Sequence, residues 1–325
     1  MVMCTFNGEQ FLAPQLESIL AQTLPPEEII VSDDGSTDRT LEVAREFSTS
    51  SSVAKSVHWV ITSRKKPLGP AKNFEDALAQ ASRGLIALAD QDDVWIPSKL
   101  QALAHRLARE PSALLIHSDA RLTDGGGIKG PTLMKTLGVT RAELRDLERG
   151  KGLAALIRRN LVTGATVMMR RELLETASPF PTAWMHDEWL GLVAGLQGAL
   201  VFENGTLVEY RQHGNNAIGA SKTTMSAARS RLKEDRGTFF NHKNLRNAAL
   251  VNLVSAPPTW LTPESRAVLK GKIAHDRWRT ELQSSRVRRI IPVVLRGLGG
   301  SYSLYSRGLL DMVRDIALRD AKSSQ

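Results

Sequence analysis

The sequence predicts an α/β protein in which a mostly parallel, Rossmann-like central sheet is covered by helices on both faces and followed by a helical C-terminal extension. Short strand-like runs and helical apolar periodicities alternate four times over roughly the first third of the chain. Carboxylate-rich motifs stand directly after strands, where ligands bind in parallel sheets. Beyond Gly214 the strand-like runs stop.

In chain order, Met1 to Thr5 reads as the start of a buried strand, followed by a helical face of Phe11, Leu12, Leu16, Ile19 and Leu20. Glu28 to Val31 is the next strand, and Leu41, Val43, Ala44 and Phe47 make the next helical face. Val57 to Ile61 precedes Phe74, Ala77, Leu78 and Ala81; Leu85 to Leu88 precedes Leu100, Leu103 and Leu107; Ala113 to Ile116 follows. From Ala165 the pattern changes to a strand over 165–169, a helix from Asp187 to Gln197, and strand segments at 200–202 and 206–209. We read these as the second half of the same sheet, with more antiparallel pairing. Residues 224–251 and 263–283 read as helices separated by Ala256-Pro257-Pro258, and 286–318 as a basic amphipathic stretch that Gly297, Gly299 and Gly300 divide into two helices. The expected domains are 1–219, the α/β unit, and 220–325, basic and helical.

With 325 residues, 42% hydrophobic and 24% charged, the chain can bury a sizeable core, which excludes disordered, collagenous and disulfide-scaffold classes. Its one cysteine, Cys4, excludes an internal disulfide and a cysteine zinc cluster, implies a reducing, cytoplasmic setting, and reads as an inert strand residue. Charged residues interrupt every apolar run, so no transmembrane helix is expected, and the N-terminus lacks signal-peptide features. The net charge of +9 is uneven: residues 220–325 hold 20 Lys and Arg against 8 Asp and Glu, and residues 1–219 hold 23 against 26. A basic tail behind a mildly acidic front suits an anionic surface, either nucleic acid or acidic lipid.

Ser32-Asp33-Asp34-Gly35-Ser36-Thr37-Asp38 follows the second strand. It can be a turn with a helix cap, or two carboxylates placed to accept hydrogen bonds from a nucleobase imide or ribose hydroxyl, beside Thr5-Phe6-Asn7-Gly8. In Ala89-Asp90-Gln91-Asp92-Asp93-Val94-Trp95, three carboxylates within four residues repel one another and resist burial without a cation. Asp90 and Asp92 project to the same side of an extended backbone, and such hard oxygen ligands suit Mg2+ or Mn2+ with a nucleoside diphosphate. Trp95 reads as packing.

These motifs together resemble the family-two glycosyltransferases, which have the A-type nucleotide-sugar-binding fold. His186-Asp187-Glu188-Trp189 and Tyr210-Arg211-Gln212-His213-Gly214-Asn215-Asn216 are similar to the bacterial rhamnosyltransferase-like branch, and order and spacing agree over residues 1 to about 219. The resemblance implies that Asp34, with Asp33, holds the base, that Thr5, Asn7 and Asn73 line the donor side, and that Asp90 lies near the ribose. Asp92 is then the principal metal ligand with Asp93 nearby, and His213 completes the metal or diphosphate site. Asp187 matches the catalytic base, and Thr163-Gly164-Ala165-Thr166 the acceptor side; His186 is expected to pack. Two departures stand out: the first strand begins at residue 1, and Lys65-Lys66-Pro67-Leu68-Gly69-Pro70 replaces the usual Asn-x-Gly element ahead of Asn73, which should alter donor recognition.

Glycosyl transfer requires stabilisation of charge on the departing diphosphate and removal of a proton from the attacking hydroxyl. The cation does the first, with Arg211 adding positive charge. Asp187 does the second, at the start of a helix whose N-terminus favours the carboxylate form. Direct attack inverts the anomeric centre. The expected reaction moves a sugar, with rhamnose suggested by the resemblance, from a deoxythymidine- or uridine-diphosphate donor to a glycan or lipid-linked acceptor in bacterial surface polysaccharide synthesis. A sugar nucleotidyltransferase would want a Gly-rich, Lys- or Arg-bearing loop after the first strand, which Thr5 to Gln10 lacks. A nucleic-acid-binding module fits the tail less well than a membrane does, because its basic residues are interleaved with Leu, Ile and Val at helical spacing; no nucleic acid partner is expected. Arg286, Arg288, Arg289, Arg296, Arg307 and Arg314 are expected to flank apolar residues at an anionic bilayer, placing the protein on the inner face of the cytoplasmic membrane.

Overall fold

The computed structural model describes residues 1–124, 129–212, 236–283 and 285–318. The chain forms two compact units: Met1–Gly152 with Leu161–Ala220, and Leu153–Asn160 with Ser221–Gln325. The described strands are β1 (Val2–Thr5), β2 (Glu28–Asp33), β3 (His58–Ser63), β4 (Leu85–Ala89), β5 (Val94–Trp95), β6 (Leu115–Thr123), β7 (Lys129–Thr132), β8 (Val167–Arg170) and β9 (Leu200–Arg211). The helices are α1 (Glu9–Leu20), α2 (Thr40–Thr49), α3 (Ser52–Ser56), α4 (Pro70–Ala79), α5 (Lys99–Arg109), α6 (Leu133–Thr136), α7 (Arg141–Glu148), α8 (Leu153–Leu156), α9 (Leu173–Ala177) and α10 (His186–Leu196). They continue with α11 (Arg236–Ser255), α12 (Pro263–Thr280), α13 (Arg286–Leu298), α14 (Ser301–Tyr305) and α15 (Leu309–Ala317).

In the first unit one sheet runs in the order β3-β2-β1-β4-β8-β6-β9-β5, with β7 on β6. The pairs β1–β2, β1–β4 and β2–β3 are parallel. The connections between them carry helices whose apolar faces close over the sheet. Leu12, Leu16 and Ile19 of α1 and Leu103 and Leu107 of α5 share one core with Ile29, Val31 and Ala89, each large side chain worth about 2 kcal/mol in burial. Winding goes outward from β1 to β3 and then returns to β4 on the other side. The reversal opens a crevice at the carboxyl ends of β1 and β4.

The second half mixes both senses. β8 is antiparallel to β4 and β6, whereas β9 runs parallel to β6. β9 is one strand where the sequence suggests two segments, because Asn204 and Gly205 bulge out between the Ser118–Glu203 and Asp119–Thr206 pairs. β5 and β7 are too short for a period of two to announce them. Yet β5 pairs with β9 and carries the far end of β9 to the acidic loop after β4.

The second unit is helical. Leu282, Val293 and Tyr302 form a small core with Trp278, Met312 and Ile316 packed against it. Arg236 caps the end of α12 by donating to the carbonyls of Arg279 and Thr280. The stretch from 286 makes three helices, not two: α13 runs through Gly297, the chain breaks at Gly299 and Gly300 (φ +78), and it breaks again at Gly308. Arg289, expected to face outward, is wholly buried, because its guanidinium donates to the carbonyls of Gln283, Asp315 and Leu318. Arg296 lies 4.8 Å from the Trp278 ring and Arg314 3.8 Å from that of Phe239. No described helix is long and apolar enough to cross a membrane.

Candidate active site

The loops after β1, β2 and β4 interlock. Asp33, the buried last residue of β2, accepts from Thr5 Oγ1 (2.9 Å), Ser36 N (2.9 Å), Gly35 N (3.1 Å), Ser63 Oγ (3.3 Å) and Ser36 Oγ. Its two oxygens shape the loop from within, and Thr5 serves the same end. Asn7, at φ +47, donates its N–H to Ser36 Oγ and accepts from Thr37 N through Oδ1, tying the first loop to the second. Asn73 is buried and exchanges hydrogen bonds with the Ser32 hydroxyl (2.7 Å) and carbonyl (2.9 Å).

Asp34 differs from its neighbour. Its carboxylate accepts from the backbone N–H groups of Leu68 and Gly69, each at 2.8 Å, and Arg64 Nε lies 3.7 Å away. The segment that departs from the family pattern is therefore the one that cradles Asp34.

Across the crevice, Gln91 joins β4 to β1: Phe6 N donates to its Oε1 at 2.9 Å and its Nε2 donates to Phe6 O at 3.1 Å. A Cβ on Gly8 would lie 2.2 Å from Gln91 Oε1, so any side chain there must displace the Gln91 amide. The Phe6 ring stays half exposed at this edge. Burial, then the charges of Asp92 and Asp187, push Asp90 up to about 7, against the pull of Lys99. Asp93 is wholly buried and raised well above the usual carboxylate range by burial and by Asp90 and Asp92. Its Oδ1 accepts from Arg211 N at 3.1 Å, which fixes the end of β9, while Oδ2 has no hydrogen-bond partner among the described residues.

Lys99, which the sequence reading passes over, lies beneath this loop. It is fully buried, donates to Ala165 O at 2.6 Å and sits 3.4 Å from the centre of the Trp95 ring. Burial draws its pKa well below the lysine range, opposed by Asp93 and Asp90. A buried lysine in a helical pattern reads as a solvated charge in one dimension, so no local signal identifies it; the same holds for Gln91 between its aspartates. Trp95 is core packing, as expected.

Asp187 stands in the first turn of α10, two residues inside the cap position, which Met185 occupies. Its carboxylate accepts from Glu188 N (2.7 Å) and Gly164 N (3.0 Å), so the Thr163-Gly164 turn and Asp187 are brought together. Burial outweighs these hydrogen bonds and raises it to about 6. His186 stacks on Phe74 at 3.7 Å, neither ring nitrogen has a hydrogen-bond partner among the described residues, and burial lowers it to about 3, so the ring is neutral packing. The Cys4 thiol is pushed up by burial and nearby carboxylates, which leaves it inert. His213 lies outside the described residues.

A hard divalent cation fits this donor set. Carboxylates at 90, 92 and 93 crowd one loop, burial and mutual repulsion raise two of them, and one buried oxygen lacks a partner. Among the described residues no group of three or more His, Cys, Asp or Glu side chains is placed to enclose a metal. A cation here would rest on one or two carboxylates, with water and phosphate filling its shell.

The sequence profile described as glycosyl transferase family 2 matches residues 1–177. A Haemophilus influenzae protein named as an uncharacterized glycosyltransferase is 25% identical over 287 residues, 83% of this chain and 82% of its own length. The dTDP-rhamnosyl transferase RfbG of Shigella flexneri is 26% identical over 223 residues, 67% and 74% of the two chains. The mannosyltransferase PcManGT of Pyrobaculum calidifontis, solved with GDP-Man and Mn2+, superposes with a TM-score of 0.53 at 15% identity, covering 97% of this chain and 82% of its own. The fold is thus that of the A-type glycosyltransferases. All strands that border the crevice at β1 and β4 fall inside the family match, and the chain, a glycosyltransferase, belongs to glycosyl transferase family 2.

Proposed function

We propose that residues 1–219 carry out metal-dependent, inverting transfer of a sugar from a deoxythymidine- or uridine-diphosphate donor, with a deoxyhexose such as rhamnose as the leading candidate. The acceptor is a glycan or lipid-linked hydroxyl of bacterial surface polysaccharide synthesis, presented at an anionic membrane surface that the basic region 220–325 meets. The observation that carries the reading is the crowding of Asp90, Asp92 and Asp93 in the loop after β4 at the crevice, where the buried Asp93 Oδ2 has no hydrogen-bond partner among the described residues. The dTDP-rhamnosyl relative supports the donor class, and the Mn2+ and GDP-Man of the Pyrobaculum complex are in keeping with a cation.

In this reading Asp34 meets the nucleobase, which stacks on the exposed Phe6 ring, and Asp90 meets the ribose. Asp33, Thr5, Asn7 and Asn73 hold the loops that present them. Asp92 holds the cation, with Asp93 fixing the loop from below, and Arg211 faces the diphosphate. A bound Mg2+ or Mn2+ supplies Lewis-acid neutralisation of the leaving group. Asp187, positioned by Gly164, takes the acceptor's proton while the acceptor oxygen bonds to the anomeric carbon and the bond to the diphosphate breaks on the opposite face.

Calorimetric titration of dTDP and UDP with Mn2+ and with a chelator tests this. Wild-type protein should bind with Mn2+ and lose affinity with chelator, and Asp92→Ala should bind at least tenfold more weakly with Mn2+. Equal affinity in the two proteins would remove Asp92 from the site.

A further inference from the structure

The helices α13 and α15 bury charge and expose apolar side chains. On α13, Val287, Ile291, Leu295 and Leu298 are 75, 70, 63 and 82% exposed. At 3.6 residues per turn they share one stripe about 80° wide, which Ile290 and Val294 widen to about 140°. The opposite face holds the wholly buried Arg289 and Val293. On α15, Leu309 and Leu310 are 72 and 69% exposed, whereas Asp311 and Asp315 turn inward. Asp315 accepts from Arg279 Nε (2.6 Å), Arg279 Nη2 (2.8 Å) and the Tyr302 hydroxyl (2.6 Å). With their charges satisfied inside, both helices turn their leucines outward.

The charge around that face has one sign. Within 285–318 the only carboxylates are Asp311 and Asp315, both buried, while Arg286, Arg288 and Arg307 are exposed, the first two bordering the stripe on either side. A second copy of the chain would bring these arginines against one another, whereas a layer of lipid phosphates complements them. Thirteen residues of α13 span only about 20 Å, short of the roughly 30 Å hydrocarbon core, so the helix can lie in the interface plane but not cross.

We propose that the outward face of α13 and α15 docks on an anionic lipid bilayer, with its leucines, isoleucines and valines inserted at the headgroup boundary and Arg286, Arg288 and Arg307 against lipid phosphates. This deepens the membrane partner of the reading above and rests on it only there. The test is co-sedimentation of the full chain with vesicles of equal parts phosphatidylglycerol and phosphatidylcholine, and of phosphatidylcholine alone. The wild-type protein should pellet with the anionic vesicles at low salt and less at high salt. Ile291→Ser/Leu295→Ser/Leu298→Ser, at exposed positions and with unchanged thermal unfolding, should partition at least tenfold less. Arg286→Gln/Arg288→Gln/Arg307→Gln should retain weaker, salt-insensitive binding. A wild-type protein left in the supernatant at low salt, a serine variant that binds like wild type, or a wild-type dimer that the serine variant splits in light scattering would each overturn the proposal. Mn2+-dependent nucleotide binding measured on the same samples separates that failure from failure of the glycosyl-transfer reading.

Discussion

Replacing Asp187 by Asn should make the protein more stable and nearly inactive. Burial raises the Asp187 carboxyl from its ordinary 3.8 to about 6, and two pH units of displacement correspond to about 3 kcal/mol of destabilisation when the group is charged. An acid with a raised folded-state pKa destabilises the fold above that pKa and is relieved as pH falls and the folded state takes up the proton. The amide carries no charge, but its NH2 faces one of the N–H donors of Gly164 or Glu188, costing about 1–2 kcal/mol. The net expectation near pH 8 is a gain of about 1–2 kcal/mol for Asp187→Asn, shrinking by about 1 kcal/mol by pH 5 as the wild-type carboxyl protonates. Urea unfolding of both proteins, metal-free, at the two pH values measures it. Transfer should fall by about 10² to 10⁴, and wild-type kcat/KM should drop about tenfold per unit below about pH 6. A stability difference that ignores pH would refute the raised pKa, and turnover within tenfold of wild type would require another base.

Gly8→Ala should expel the Gln91 side chain and cost Phe6 its two hydrogen bonds, about 1–3 kcal/mol by denaturation. Because both changes break the same link, Gly8→Ala/Gln91→Ala should be scarcely less stable than Gln91→Ala alone, and full additivity would show the two to be independent. Lys99→Met keeps the apolar stem but removes the hydrogen bond to Ala165 O and the buried amine beside Asp90 and Asp93. It should lower stability by about 3 kcal/mol, and a change under about 0.5 kcal/mol would mean the amine compensates nothing.

The strand–helix alternation was legible because its causes are local: apolar spacing selects each element, and a parallel sheet delivers the residues after its strands to one edge. That is why the motifs after β1, β2 and β4 could be recognised in one dimension. The difference between Asp33 and Asp34 could not, since the two are adjacent and chemically alike. Only the fold brings Thr5 and Ser63 to the first and the Leu68–Gly69 backbone to the second.

Residue spacing alone specifies an α/β unit with acidic loops at the ends of its strands and a basic amphipathic tail. What is buried follows from packing in three dimensions. Packing lifted Asp187 by desolvation where a helix N-terminus alone would have lowered it. It also decided which face of α13 turns inward. Helical periodicity shows that an apolar stripe exists, but either face can be the inner one, and here Asp315 neutralises Arg279 while carbonyls satisfy Arg289, so charge is buried and the leucines remain outside.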